Sequence, residues 1–430
     1  MFSSETVIHP LGSSSKEQEP ANYVWPAEGL TSIPDWIYTS RTIYDREMER
    51  IFHGPTWNFV ALEAEIPNPG DFKRSYVGAT PVVVARNTDG SVHVMENRCA
   101  HRGVEFCRPS KGNTMEFVCP YHQWSYDLTG NLQGVPFKRG IKSEPGSGMP
   151  RDFKNEAHNL LKLKVQNLHG VIFASFDEGM EPVETYLGAE TLEHFEVVFK
   201  ERKLKILGYY RNELPGNWKL YHENLKDPYH ATLLHSFLVT FGLMVAGSKT
   251  SMIADPTGRH GTMASRKPDD VTKVVDSDTA KQMRAYRTDL KLADPRLIEF
   301  RPEFKSPWTV TMQTIWPNLI IQRELNTLGI RQIVPNGPHS QIMLWTMFGY
   351  ETDDEDMTRH RLRQGNLMGP SGFLGLEDNE AIKFLQEGVR RSTSDRGSVW
   401  LGGTSEGTGG IISESAIRSM YRHYREAMSL

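Results

Sequence analysis

The chain has 430 residues, 38% of them hydrophobic, and a formal net charge of -4. That length allows two or three domains with sizeable cores, and the charge offers no footprint for nucleic acid. Three cysteines exclude a disulfide framework, and no apolar run approaches the length of a membrane span. Met1 to Ala21 is polar and rich in Ser and Glu, unlike a signal peptide. It predicts a mobile N-terminus within an extension over 1–40, on a soluble, cytoplasmic protein.

Ile43 to Phe52 has helical periodicity with charged faces and predicts a short helical lead-in. From about Trp57 to Phe176 the pattern is short strands broken by Gly, Pro and Asn-Gly-type turns. Tyr76 to Val84 and Ser91 to Met95 alternate as strands, with Thr88-Asp-Gly90 as a hairpin turn. This is the texture of a small all-β domain, placed with its lead-in over 41–180. Within it lie Cys99-Ala-His101 and, after seventeen residues, Cys119-Pro-Tyr-His122. In a Rieske [2Fe-2S] centre a Cys pair holds one iron and a His pair the other. A tetrahedral structural zinc would take the same four ligands. Each half here joins one Cys to one His, whereas zinc fingers group like with like, so the spacing favours the cluster. Gly103 would let the backbone come close to a sulfide, and Cys107 is left as an ordinary small buried thiol.

After Glu181 helical segments (Val183 to Phe199, Trp218 to Phe241, Glu355 to Leu367, Glu377 to Arg391, Ile411 to Met428) alternate with strands. The strands are Lys203 to Glu213, Trp308 to Trp316, Leu319 to Pro335 and Gln341 to Tyr350. Such a pattern predicts an α+β domain over 181–430, a mainly antiparallel sheet covered by helices on one side. Gly247 to Asp289 is polar with weak periodicity and reads as a lid or mobile loop.

A second constellation, Asn217-Trp-Lys-Leu-Tyr-His-Glu-Asn224-Leu-Lys-Asp227-Pro-Tyr-His230-Ala-Thr-Leu-Leu-His235, offers histidines and carboxylates for a 2-His-1-carboxylate iron site. Five residues turn a regular helix by about 140°, so His230 and His235 meet on one metal only if the helix is distorted or ends between them. Asp227, three before His230, can face it across one turn. Asp227 as N-cap with Pro228 at the first helical position is an equally simple account of the segment. His222, eight before His230, could share its face and is read as structural.

Together the two motifs resemble the large (α) catalytic subunits of Rieske non-haem iron aromatic-ring-hydroxylating oxygenases, over nearly the whole chain. The resemblance implies that Cys99, His101, Cys119 and His122 carry a [2Fe-2S] cluster and that His230 and His235 ligate one mononuclear Fe(II). The family's third ligand follows a Gly-Pro-x-Gly-Phe segment. Here that is Gly369-Pro-Ser-Gly-Phe-Leu-Gly-Leu-Glu-Asp378, which makes Asp378 the match and Glu377 its neighbouring rival. By the same resemblance Asp227 is an inter-subunit electron bridge between an iron-ligating His and a cluster-ligating His of the next protomer. That role competes with N-capping. Asn224 is a polar contact near the iron.

The stretches Glu63 to Phe72, Asn131 to Phe137, Gly148 to Phe153 and Lys203 to Tyr209 look most like the branch containing salicylate 5-hydroxylase, anthranilate dioxygenase and terephthalate dioxygenase. The resemblance implies a bacterial terminal oxygenase that hydroxylates or dihydroxylates an aromatic carboxylic acid with O2. Electrons would come from NAD(P)H through a reductase or ferredoxin, and a small β subunit would complete an α3β3 assembly, or the chain would form an α3 trimer. The substrate carboxylate, too costly to bury unpaired, calls for a cation or several donors. Asn318 to Thr327 is the candidate wall, with Gln322 and Asn326 on one strand face and a fork-shaped Arg323 on the other. A salt bridge of Arg323 with a nearby acid is the competing account.

Three other functions stay open. A Rieske monooxygenase or O-demethylase would use the same iron. A Rieske electron-transfer protein would not need His230, His235 and Asp378, and a structural zinc protein would need no iron.

Overall fold

The computed structural model describes residues 19, 22–269, 277–284, 286–287 and 289–430. Its first sheet is antiparallel, in the spatial order Asn58–Leu62, Val171–Ser175, Lys162–Leu168, Val92–Glu96, Thr80–Arg86, Asp71–Val77 and Lys111–Asn113. The expected strand Tyr76 to Val84 is in fact parts of two strands, because the chain reverses at Gly78, whose φ of 56° suits a residue without a Cβ. Gly90 closes the predicted hairpin turn, its N–H reaching the Asn87 carbonyl at 3.0 Å. A smaller sheet of Phe117–Val118, Ser125–Tyr126 and Leu132–Gly134 completes the all-β unit. Phe72, Phe106, Phe117, Trp124 and Tyr126 form the core in which Cys99 and Cys119 are buried.

The second sheet is also antiparallel, in the order Leu204–Leu214, Gln341–Tyr350, Thr327–Pro335, Leu319–Glu324, Val310–Ile315, Gly261–Ser265 and Thr250–Ala254. Two of these strands fall inside the segment expected to be a lid. Gly261–Ser265 has Met263 as its one large apolar residue, so it lacks apolar alternation although all five residues are buried. Positions 270–276, 285 and 288 of that segment lie outside the described residues. The expected strand Leu319 to Pro335 is a hairpin, turning at Leu325 with φ 55°.

Helices cover both faces of this sheet rather than one. On one face Trp218, Leu374, Ile382, Ile417 and Tyr421 pack against Ile320, Ile333, Met343 and Trp345. On the other, Tyr186, Leu187, Phe195 and Phe199 of the helix Val183–Phe199 pack against Ile321, Leu328, Ile330 and Phe348, together with Phe59 and Phe173 of the cluster domain.

The N-terminal segments belong to the catalytic side. Ser32–Pro34 pairs with Arg396–Ser398, and Trp25, Ile33 and Ile37 join the core around Trp218. Residues 22–40 are therefore an integral layer of that core rather than a free extension, because their apolar side chains need a partner surface. The expected mobile segment, 1–18 and 20–21, lies outside the described residues. Ile43, Ile51 and Phe52 of the lead-in also enter this core. Glu47 is buried there, accepting from Trp218 Nε1 at 2.8 Å and Tyr424 OH at 2.6 Å and pairing with Lys219 Nζ at 2.6 Å. A buried carboxylate persists only with such partners.

Candidate metal centres and substrate cavity

The four residues of the first motif sit on two loops of the same build. In each, the Cys N–H donates to a carbonyl five residues on (Val104, Trp124) and the Cys carbonyl accepts from the N–H four residues on (Gly103, Gln123), at 2.8 to 2.9 Å. Those fourth residues both have positive φ, 75° at Gly103 and 57° at Gln123. Glycine suits this conformation at 103, where Arg98 lies 3.2 Å from where a Cβ would stand, and Gln123 adopts it in the twin loop. The loops bring two buried thiols together at one end, with Cys99 Sγ 3.2 Å from Tyr126 OH. At the outer end His101 Nδ1 and His122 Nδ1 lie 3.1 Å apart, and the His101 ring stacks on Trp124.

Among the described residues, only His230, His235 and Asp378 bring three ligand atoms within 4.8 Å of one another. The Cys/His set does not close to that single-ion span. This argues against one tetrahedral zinc, whose ligands stand 2.0 to about 2.3 Å from a common centre. A two-iron cluster keeps thiolates and imidazoles apart by its own width. Cys107 is elsewhere in the core, its thiol raised to about 11 by burial.

The second motif folds as the five-residue spacing demands. The expected helix Trp218 to Phe241 breaks into Trp218–Leu225, Pro228–Ala231 and Ser236–Thr240, since Pro228 cannot continue the first helix and Asp227 caps the second. The broken backbone turns both imidazoles to one point. His230 Nε2 lies 3.4 Å and His235 Nε2 3.2 Å from Asp378 Oδ1. Asn224 Nδ2 donates to the same oxygen at 3.0 Å. Asp378 comes from the helix Phe373–Arg391, which starts four residues before the expected Glu377. Gly372, its N-cap, passes so close to the preceding helix that a Cβ would stand 2.0 Å from the Leu367 carbonyl oxygen.

Behind each imidazole stands a carboxylate. Asp227 Oδ2 is 3.6 Å from His230 Nδ1, and Glu377 Oε2 is 2.8 Å from His235 Nδ1. Asp227 caps the helix and faces His230 at once, because its Oδ1 accepts from the N–H groups of Tyr229 (3.0 Å) and His230 (3.4 Å) while Oδ2 faces the ring. Burial opposes the charge of His230, but Asp227 and Asp378 override it and lift the imidazole to about 10. Burial likewise works against Asp378, and the two histidines hold it well below the usual carboxylate range. The triad is therefore built to hold positive charge, which a metal cation supplies in place of protons. His222 is apart from it, donating Nε2–H to the Pro317 carbonyl at 2.8 Å and pushed down to about 3 by burial.

The triad opens into a cavity with about 660 Å³ of empty space, its mouth included. Leu238, Met244, Met312 and Leu374 make its walls apolar, and Glu324 and Arg331 also line it. None of the three residues expected to meet a substrate carboxylate is among those that line it. Arg323 points to the opposite face of the sheet, where Nε donates to Thr311 Oγ1 and an Nη to Ser306 Oγ, both at 3.1 Å, over Phe304. Among the described residues of this chain it pairs with no acid. Gln322 is on the cavity side but one layer back, donating to Glu324 and to the Met368 carbonyl. Asn326 follows the turn at Leu325 and so leaves the strand alternation, donating to the Arg301 carbonyl and Glu303 Oε1. Arg331 was legible as a lone charge within Leu328-Gly-Ile-Arg-Gln-Ile-Val, a wholly buried strand.

A two-loop thiol and imidazole site on a β domain, joined to a helix-covered sheet bearing a His/His/carboxylate triad, defines a two-centre redox enzyme. Residues 56–145 match the Rieske [2Fe-2S] domain and residues 201–430 the ring hydroxylating alpha subunit catalytic domain. The chain is 46% identical to the large oxygenase component of salicylate 5-hydroxylase from a Ralstonia species, covering 95% of this chain and 97% of that one. It is 41% identical to the large subunit of anthranilate 1,2-dioxygenase from Burkholderia cepacia, over 94% and 95%. Its fold is similar to naphthalene 1,2-dioxygenase from a Rhodococcus species, with a TM-score of 0.75 at 24% identity over 93% of this chain and 96% of that one. The chain belongs to the ring-hydroxylating oxygenase alpha subunits, and its cofactors are a Rieske [2Fe-2S] cluster and a mononuclear iron. No helix among the described residues is long and apolar enough to cross a membrane.

Proposed function

We propose that this chain is the large subunit of a bacterial, cytoplasmic terminal oxygenase that hydroxylates or dihydroxylates the ring of an aromatic carboxylic acid. Electrons come from NAD(P)H through a reductase or ferredoxin. The observation that carries this reading is a His230/His235/Asp378 triad opening into an apolar cavity that also holds a buried arginine. Relatives named for salicylate, anthranilate and terephthalate, at 37% to 46% identity, support the substrate class.

In this reading His230, His235 and Asp378 hold the mononuclear iron, and Cys99, His101, Cys119 and His122 hold the cluster. These groups supply O2 activation and one-electron delivery when bound. The chain's own residues do the positioning. Glu377 and Asp227 fix the two imidazoles from behind, and Asn224 holds the Asp378 oxygen. The apolar walls exclude water and seat the ring above the triad.

The Asp227 side chain is 21% exposed, and its hydrogen bonds and ion pair among the described residues are to Tyr229 and His230 of its own segment. His101 is exposed at the tip of its loop. A cyclic trimer in which a cluster histidine of one protomer meets Asp227 of the next joins the two centres, with a small β subunit giving α3β3.

The test is turnover under 18O2 with a panel of aromatic acids and a reductase. Two labelled oxygens in the product mean dihydroxylation and one means monohydroxylation. Absence of substrate-dependent O2 uptake across the panel overturns the reading.

A further inference from the structure

Arg331 stands on the strand Thr327–Pro335, opposite Ile320 on one neighbouring strand and Trp345 on the other, and lines the same cavity as the triad. It is only 4% exposed. One Nη donates to the hydroxyl of Tyr221 at 2.8 Å, and the guanidinium carbon lies 4.1 Å from the centroid of the Trp345 ring. Its buried Nε has no hydrogen-bond partner. Among the described residues its hydrogen-bonded partner is thus a neutral phenol. Glu324, the acid on the same wall, lies within electrostatic reach of the guanidinium but accepts its hydrogen bond from Gln322 Nε2.

A buried guanidinium that no carboxylate bonds directly keeps a costly unsatisfied N–H, and an anion that takes the free Nε–H completes the site. The fork of Nε–H and Nη–H matches a carboxylate, which takes two parallel hydrogen bonds. Trp345 and Tyr221 hold the fork in place, so little side-chain freedom is lost on binding.

We propose that Arg331 is the carboxylate anchor of the cavity and thereby the residue that selects aromatic acids over neutral aromatics. A molecule spanning the cavity rests its carboxylate on Arg331 and lays its ring toward His230, His235 and Asp378. The inference rests on the aromatic-acid reading and deepens it by naming the group that recognises the acid.

The test uses the iron-loaded enzyme and calorimetric titration with salicylate, anthranilate, indole-3-acetate and terephthalate, each beside its methyl ester. Wild-type enzyme should bind one acid about 100-fold more tightly than its ester, and Arg331→Gln should lose about 100-fold for that acid, as expected for losing charge-assisted hydrogen bonds. The ester should bind both proteins within about two-fold, with iron content unchanged, and Arg331→Lys should recover part of the loss because it keeps the charge without the fork. In turnover the loss should fall on KM more than on kcat. Acid affinity unchanged in Arg331→Gln overturns the anchor while leaving the aromatic-acid reading intact. Should Arg331→Gln fail to fold, full acid affinity in Arg331→Lys together with no wild-type preference for acid over ester overturns it equally. Absence of acid binding by the wild-type enzyme sinks the aromatic-acid reading itself.

Discussion

Glu377 Oε2 lies 2.8 Å from His235 Nδ1, on the side of the ring away from the Nε2 that faces Asp378. In the proposed assignment the neighbouring acid orients the His235 ring instead of supplying a ligand, and makes its imidazole a better donor. Glu377→Gln keeps an acceptor but removes the charge, so iron affinity should fall about ten-fold in chelator competition while the cluster absorbance is retained. An unchanged affinity would mean that Glu377 is a bystander.

Asp378 is the acid that meets both Nε2 atoms. Asp378→Ala should reduce the metal content from about three irons per chain to about two, leaving the two of the cluster. His230→Ala should do the same. Metal analysis reads both, and an Asp378→Ala protein that keeps its third iron would move the site to other ligands.

Asp227 divides its two oxygens between the helix cap and His230. Asp227→Asn can keep the capping oxygen while losing the charge, so thermal stability should change little. NAD(P)H-coupled turnover should fall by about two orders of magnitude, as expected when an outer-shell partner of a metal ligand is lost. A drop in melting temperature with turnover preserved would leave Asp227 as a cap alone.

The spacing of the motifs made much of this site legible in the chain. The 140° offset of His230 and His235 required a helix that ends between them, and the helix carrying His230 stops at Ala231, before His235 caps the next one. The helix Val183–Phe199 was readable because an apolar face of Val183, Tyr186, Leu187, Phe195, Val198 and Phe199 repeats along it. The facing of the strand Leu319–Glu324 could not be read. Alternation puts Arg323 and Gln322 on opposite sides but does not say which side holds the cavity. That is fixed by the packing of Ile321 with the helix Val183–Phe199, a contact far apart in sequence. The strand Gly261–Ser265 was hidden because Gly261, Thr262 and Ser265 are buried there and Met263 alone gives no alternating apolar signal.

Glu223 gives a pH-dependent term in stability. It is buried and accepts from the hydroxyls of Tyr38 (2.8 Å) and Tyr421, tying the N-terminal segment to the C-terminal helix, and burial raises its carboxyl to about 7. A carboxyl raised in the folded state contributes stability that is full below its unfolded value near 4.5 and lost as pH passes about 7. Glu223→Gln should flatten the stability profile between those values, by at most about 3 kcal/mol in urea unfolding. An unaltered slope would assign the titration elsewhere.

The central claim is that the cluster of one chain serves the iron of another. Cys119→Ser chains, without a cluster, and Asp378→Ala chains, without the mononuclear iron, should each be inactive alone. Co-assembled in equal amounts they should regain roughly a quarter of the wild-type aromatic-acid-dependent O2 uptake, since one directed interface in four joins an intact cluster to an intact iron site. No recovery in demonstrably mixed oligomers would place electron transfer within a single chain and contradict the account.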